Sequence, residues 1–163
     1  MEVRVRAGDN RSVGAPWNNE TGVVVLLDGR RVRGRALPDR PPPELEPDFG
    51  LYLLGKPPPQ MSWDTRWLEW PDFGLPHDAD DANDALEEVF ARSLRQRVEI
   101  ACRGGAGRTG TALACLAVMA GTPPEEAVAY IRAQYRPHAV ETPWQRRYVR
   151  RFGRSRGDQM DSR

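Results

Sequence analysis

The sequence predicts an α/β domain in which helices pack against one β-sheet. Three observations carry this. Short apolar or β-branched runs at 23–27, 50–54, 66–70 and 98–101 read as strands. Helical spacings begin only after residue 80. Between 98 and 120 a strand passes through a glycine-rich turn into a helix of small residues. Strands that come first and then alternate with helices argue for a sheet covered by helices.

The elements follow in order. Val23 to Leu27, then Asp28-Gly29 and an alternating stretch around Val32, predict a β-hairpin over 22–36 with a type I′ turn. Residues 38–48 form a proline-rich loop. Gly50 to Leu54 is a short buried strand closed by Pro57–Pro59, and Arg66 to Trp70 is a fourth strand ended by Pro71. Asp80 or Asp81 caps a helix to about Arg95, with Ala82, Leu86, Val89 and Phe90 at helical spacing. Val98 to Ala101 is the next strand. Gly107 to Ala120 is a helix stopped by Gly121. Thr122, Pro123 and Glu125 supply an N-cap, a first-turn proline and a capping-box acid for a helix ending before Pro137. Thr142-Pro143 opens the last helix, with Trp144, Tyr148 and Phe152 four apart on one face. One domain is expected over 1–153, its core at about 50–153, with a frayed basic tail at 154–163.

Composition narrows the function. The chain has 163 residues, 39% hydrophobic and 29% charged, an ordinary profile for one globular domain. Two cysteines, Cys102 and Cys115, exclude a disulfide scaffold. The N-terminus has no signal-like apolar stretch, and the longest apolar run, Ala112 to Ala120, is far short of the ~20 residues of a membrane span. A cytoplasmic protein is expected. The net charge of +1 hides a split: nine acids and one base lie in 61–90, fourteen bases and six acids in 91–163. No zinc-finger spacing, basic zipper or RNA-binding signature accompanies the basic third, so no nucleic acid is expected. His77 and His138 have no ligand partner nearby, and no metal is expected.

The segment Glu99 to Gly110, EIACRGGAGRTG, carries the chemistry. Cys102 ends a strand, and Arg103, Gly104, Gly105, Ala106 and Gly107 lead to Arg108 and Thr109 at a helix N-terminus. Glycines let successive N–H groups point inward as an anion nest, and the helix end adds donors and partial positive charge. Arg108 supplies a planar fork for two oxygens of a tetrahedral oxyanion. The same field favours the thiolate of Cys102, a nucleophile beneath a bound phosphorus. Thr109 can donate a hydrogen bond to the sulfur. Phosphoryl transfer also needs an acid for the leaving oxygen. Asp72, in Trp70-Pro71-Asp72-Phe73-Gly74, stands on a loop able to close over the substrate.

These residues give the chain its resemblance to the cysteine-dependent protein tyrosine phosphatase superfamily, in its small dual-specificity-like bacterial or archaeal form. The similarity covers Trp63 to about Phe152. Cys102 to Arg108 matches the Cys-x5-Arg phosphate loop, and Trp70-Pro71-Asp72 the general-acid loop. The resemblance implies a central, mostly parallel sheet flanked by helices. It implies metal-independent hydrolysis of phosphomonoesters on phosphorylated proteins through a phosphocysteine, with no cofactor. It implies that Gln145 positions the attacking water, although Thr142-x-x-Gln145 is also a capping box. Glu141 is a weaker alternative for that task. Phe73 is expected against a phenyl ring, and Arg103 lies at the rim, where it is read as solvated or as a contact to a second anionic group. Trp17, Trp63, Trp67 and His77 are further possible cleft walls, each read first as packing or loop surface. Cys115 is read as core.

The chain departs from the family pattern at Ala101, where a histidine usually stands. A catalytically weak phospho-binding module therefore stays open beside the protein phosphatase, and Arg103 keeps a phosphoinositide phosphatase open as well. A sulfur-transferring enzyme is the remaining rival, opposed by the acid loop.

Overall fold

The computed structural model describes residues 15–161, with side chains through Arg156. The N-terminal stretch read as lacking a leader and the end of the basic tail lie outside the described residues. Five strands form one sheet: β1 (Val23–Val25), β2 (Arg31–Ala36), β3 (Phe49–Leu54), β4 (Asp64–Glu69) and β5 (Val98–Cys102). Their order is β1-β2-β5-β3-β4. Only β1 and β2 are antiparallel; β2, β5, β3 and β4 run parallel. Four helices flank the sheet: α1 (Ala79–Arg92), α2 (Gly107–Met119), α3 (Ala127–Gln134) and α4 (Pro143–Asp161). The mixed α/β sheet with its N-terminal hairpin is the fold expected.

The two faces of the sheet differ, as strand alternation requires. Val32, Leu51, Leu53, Val98, Ile100 and Cys102 join the hydrophobic core. The alternate positions Arg33, Arg35, Tyr52 and Glu99 form a charged cluster instead. Helix α2 is buried from Gly107 to Ala117, because small and apolar residues surround its axis. It packs against β5 and β2 and against the other three helices.

Several local details differ from expectation. The hairpin turn is not type I′. Gly29 alone is left-handed, at φ 90°, and its N–H donates to Leu26 O while Leu26 N–H donates to Arg30 O. This is a three-residue loop ending on a left-handed glycine. Asp28 needs no positive φ and accepts the N–H of Arg30 instead. Helix α1 is capped by Asp78, whose side chain accepts from Asp80 and Asp81 N–H, so those two lie inside the first turn. Gly121, at φ 112°, ends α2 in a Schellman arrangement: Gly121 N–H donates to Val118 O and Thr122 N–H to Ala117 O.

Thr122 does not cap the next helix. Its hydroxyl is buried without a partner, and α3 begins only at Ala127. Pro124 disfavours helical geometry at Pro123, which delays the start. Helix α4 continues to Asp161 rather than ending near 153. Gly153 sits where a Cβ would run into Pro124, so that glycine serves close packing and does not end the helix.

Candidate active site

Parallel strands and the loops at their carboxyl ends create a crevice for ligands. Cys102 ends β5 there, 2% exposed, at the floor of the turn into α2. Gly105 N–H donates to its Sγ at 3.1 Å. Gly105 has φ 72°, and a Cβ there would stand 2.8 Å from Ala36 N at the end of β2. Both the backbone angle and the close approach require glycine. Ala106 opens α2 without a side-chain cap, so no side chain competes for the helix's first N–H groups.

Two loop carbonyls are held outward by residues that follow α3. Tyr135 Oη donates to Gly105 O at 2.5 Å, and Arg136 Nη1 to Gly104 O at 2.9 Å. These bonds fix the Gly104 and Gly105 carbonyls, while Gly105 N–H turns to Cys102 Sγ. The Tyr135 ring lies over Gly34 of β2, where a Cβ would stand within 3 Å of it. Burial pushes the Tyr135 hydroxyl up to about 12, with Arg136 opposing and Cys102 adding to the rise, so it stays a donor. Sequence reasoning missed both residues; only a helix end before Pro137 marked the place.

Arg108 is buried. Its Nη1 donates to Trp70 O at 3.0 Å, and its Nη2 lies 3.3 Å from Asp72 Oδ1. The acid loop is a tight turn in which Gly74 N–H donates to Pro71 O. Phe73, at φ 58°, occupies its left-handed position. Three side chains hold the turn: Trp70 Nε1 and Gln145 Nε2 both donate to Gly74 O, and Trp144 Nε1 donates to Phe73 O at 2.6 Å. Trp144 was read only as one member of an apolar helix face. In the structure it is half exposed and reaches the acid loop.

A cavity of about 280 Å³ is lined by Arg103, Arg108 and Asp72 together with the segment from Leu54 to Pro57. Phe73 is not among its walls. It is 54% exposed, and its backbone is what the turn uses. Lys56, the only lysine of the chain, is a wall that sequence reasoning passed over.

The other expected residues are placed as follows. Gln145 is fully buried and completes the capping box: its Oε1 accepts from Thr142 N–H, and its own N–H donates to Thr142 Oγ1. The Oε1 also accepts from Glu141 N–H. One N–H of the carboxamide is left over after the bond to Gly74. Thr109 is buried, and its hydroxyl has no partner, the sulfur included. The Glu141 carboxylate lies against Gly107 at the helix N-terminus, where a Cβ would meet it. Trp17 is core: its Nε1 donates to Val98 O, and the Arg33 and Arg97 guanidiniums both lie over its ring. Trp67 donates to Leu54 O. Cys115 is fully buried, and burial raises its thiol.

With this geometry in view, comparison with known proteins is informative. Residues 76–155 match the family described as "PTP-SAK: Swiss Army Knife protein, DSP-PTPase phosphatase domain". That segment contains the cysteine loop but begins after Asp72. The structure resembles Tk-PTP in its active form at 23% identity, covering 80% of this chain and 96% of that one, with a TM-score of 0.64. It also resembles DUSP15 at 15% identity, covering 82% and 88%, with a TM-score of 0.60. These two likenesses show the fold. Compared by sequence, no curated protein matches the chain. The fold is that of the small cysteine phosphatases. Over residues 76–155, just under half of its length, the chain is similar to the dual-specificity-like phosphatase domains. Among the described residues no helix is long and apolar enough to cross a membrane.

Proposed function

We propose that the chain hydrolyses phosphomonoesters on phosphorylated proteins, as a tyrosine or dual-specificity phosphatase, through a phosphocysteine. One observation carries this reading: Cys102 Sγ, bonded by Gly105 N–H, sits at the foot of a loop whose Arg108 stands 3.3 Å from Asp72. In the first step Sγ forms a bond to phosphorus while the bond from phosphorus to the leaving oxygen breaks. Asp72 gives its proton to that oxygen. Arg108 and the loop N–H groups from Arg103 to Arg108 hold the three equatorial oxygens, whose charge rises in the transition state. In the second step water attacks phosphorus, Asp72 takes its proton, and the S–P bond breaks to release inorganic phosphate. Thr109, with a hydroxyl otherwise unpaired, assists the departing sulfur. Gln145 holds Gly74, and its remaining N–H is available to the attacking water.

The test is turnover of p-nitrophenyl phosphate and of phosphotyrosine, phosphothreonine and phosphoinositide substrates, with rapid-quench capture of a phosphoenzyme. Cys102→Ser is expected to abolish both turnover and the covalent species while retaining phosphate binding. Equal rates for wild type and Cys102→Ser would leave a phospho-binding module. Turnover confined to phosphoinositides would replace the protein substrate with a lipid.

A further inference from the structure

The cavity lined by Arg108 and Asp72 is the first of three that adjoin. A second, of about 460 Å³, shares Leu54 and Arg103 with it. A third, of about 630 Å³, shares Arg40, Gln60, Met61 and Trp63 with the second. Together they form a groove leading from Arg108 to Pro43. Its banks are the two proline-rich loops, with Pro38, Pro41 and Pro43 on one side and Pro57 and Pro59 on the other.

Internal bonding decides what the groove offers a ligand. Arg35 lines the second cavity, but its guanidinium is already engaged. Nε and Nη2 bond Glu99, and Nη1 bonds the carbonyls of Ala36, Leu37 and Asp39. Trp63 Nε1 donates to Tyr52 Oη, which donates to Glu99 Oε1, both at 2.7 Å. That chain fixes the indole and leaves its apolar ring as the wall. Leu54 and Met61 extend this apolar stretch. The cations still unpaired are Lys56 and Arg103 near the catalytic end and Arg40 where the second and third cavities meet. All three are exposed and make no hydrogen bond or ion pair among the described residues. Glu46 lies only in the third cavity.

A groove this elongated suits an extended chain better than a compact molecule. Prolines lack the N–H needed for strand pairing, so recognition falls to side chains. We propose that this groove binds the polypeptide flanking the phosphorylated residue. An apolar side chain packs against Trp63 and Met61, and an acidic side chain meets Arg40. The proposal rests on the phosphatase reading above and adds a substrate preference to it.

The experiment uses three phosphotyrosine peptides matched in length: one with acidic residues on the N-terminal side, one with them on the C-terminal side, and one neutral. Their Kd is measured on Cys102→Ser protein and their kcat/KM on the wild type, each with and without Arg40→Glu. One acidic peptide is expected to bind about tenfold more tightly than the neutral one, through the added charge pair. Arg40→Glu removes that preference while p-nitrophenyl phosphate kcat/KM stays within about twofold. Met61→Glu is expected to weaken both acidic and neutral peptides carrying an apolar flank. The proposal is overturned if the three peptides bind equally, or if Arg40→Glu shifts all substrates alike. It is also overturned if only anionic phosphoinositide vesicles respond to Arg40→Glu. The binding arm decides even for a chain that does not turn over, so failure of the groove and failure of the phosphatase reading are distinct.

Discussion

Arg108 grips the acid loop twice, donating from Nη1 to Trp70 O at 3.0 Å and placing Nη2 3.3 Å from the Asp72 carboxylate. One guanidinium therefore links the Cys102–Arg108 loop to Asp72 and its turn. In the reading proposed above, a tetrahedral anion entering the cavity competes with Asp72 for the Arg108 fork.

This arrangement separates two roles for Asp72. As a general acid, its loss matters most when the leaving oxygen is basic. Asp72→Asn is expected to reduce kcat/KM on phenyl phosphate by about 10²- to 10⁴-fold, and far less on an ester of a strongly acidic phenol. A leaving-group series measures the difference. Equal losses across the series would restrict Asp72 to holding Arg108.

Trp144 should act on the same loop from a distance. Its bond to Phe73 O supports a residue in left-handed geometry, which costs a non-glycine residue about 1–2 kcal/mol. Trp144→Phe keeps the ring and removes the donor. The expected result is a several-fold fall in kcat on poor leaving groups, with the inhibition constant of inorganic phosphate unchanged. A change in phosphate affinity instead would place the effect in the cysteine loop.

Tyr135 offers the complementary case. Its hydroxyl holds the Gly105 carbonyl and, pushed up to about 12 by burial, stays protonated throughout the working range. Tyr135→Phe is expected to weaken vanadate inhibition about five- to tenfold with little change in Tm. In the wild type, no loss of binding between pH 8 and 10 should trace to this residue. Vanadate titrations of both proteins across that range check the two statements together.

The charged cluster on the far face of the sheet predicts an acid-sensitive fold. Burial raises the Glu99 carboxyl, but the hydrogen bond from Arg35 and the charges of Arg33 and Arg35 outweigh it and hold the group below its usual range. A depressed folded value means the contribution is complete above the unfolded value of about 4.3 and is lost as pH falls through the folded one. Glu99→Gln leaves the buried Arg33 and the part-buried Arg35 without their anion and is expected to cost about 3–5 kcal/mol at pH 7. Urea unfolding at pH 7 and pH 3 should show that difference shrinking in acid. A gap of the same size at both would mean the carboxylate charge is not what holds the cluster.

The strands, the helix of small residues and the Cys102–Arg108 turn were legible because each is written in consecutive residues. Repeating spacings and glycine placement are local constraints on the backbone. The Thr142-Gln145 capping box was legible for the same reason. The same pattern misled at Thr122, where Pro124 overrode the cap, and at Asp28-Gly29, where only the glycine took positive φ.

What only the tertiary structure decided is the partnership of distant residues. Glu99 meets Arg33, Arg35 and Tyr52 because β5 lies between β2 and β3. No periodicity in the chain encodes that strand order. Tyr135 and Arg136 reach the cysteine loop from beyond α3, and Trp144 reaches Phe73 across 71 positions. The sequence by itself determined the groups that the proposed reaction uses, since thiol, guanidinium and carboxylate carry their chemistry wherever they stand. Packing decided which loop carbonyls are held by side chains, and which cations are consumed internally and which stay free among the described residues. Those outcomes depend on burial and on hydrogen bonds between segments, which exist only once the sheet has ordered its strands.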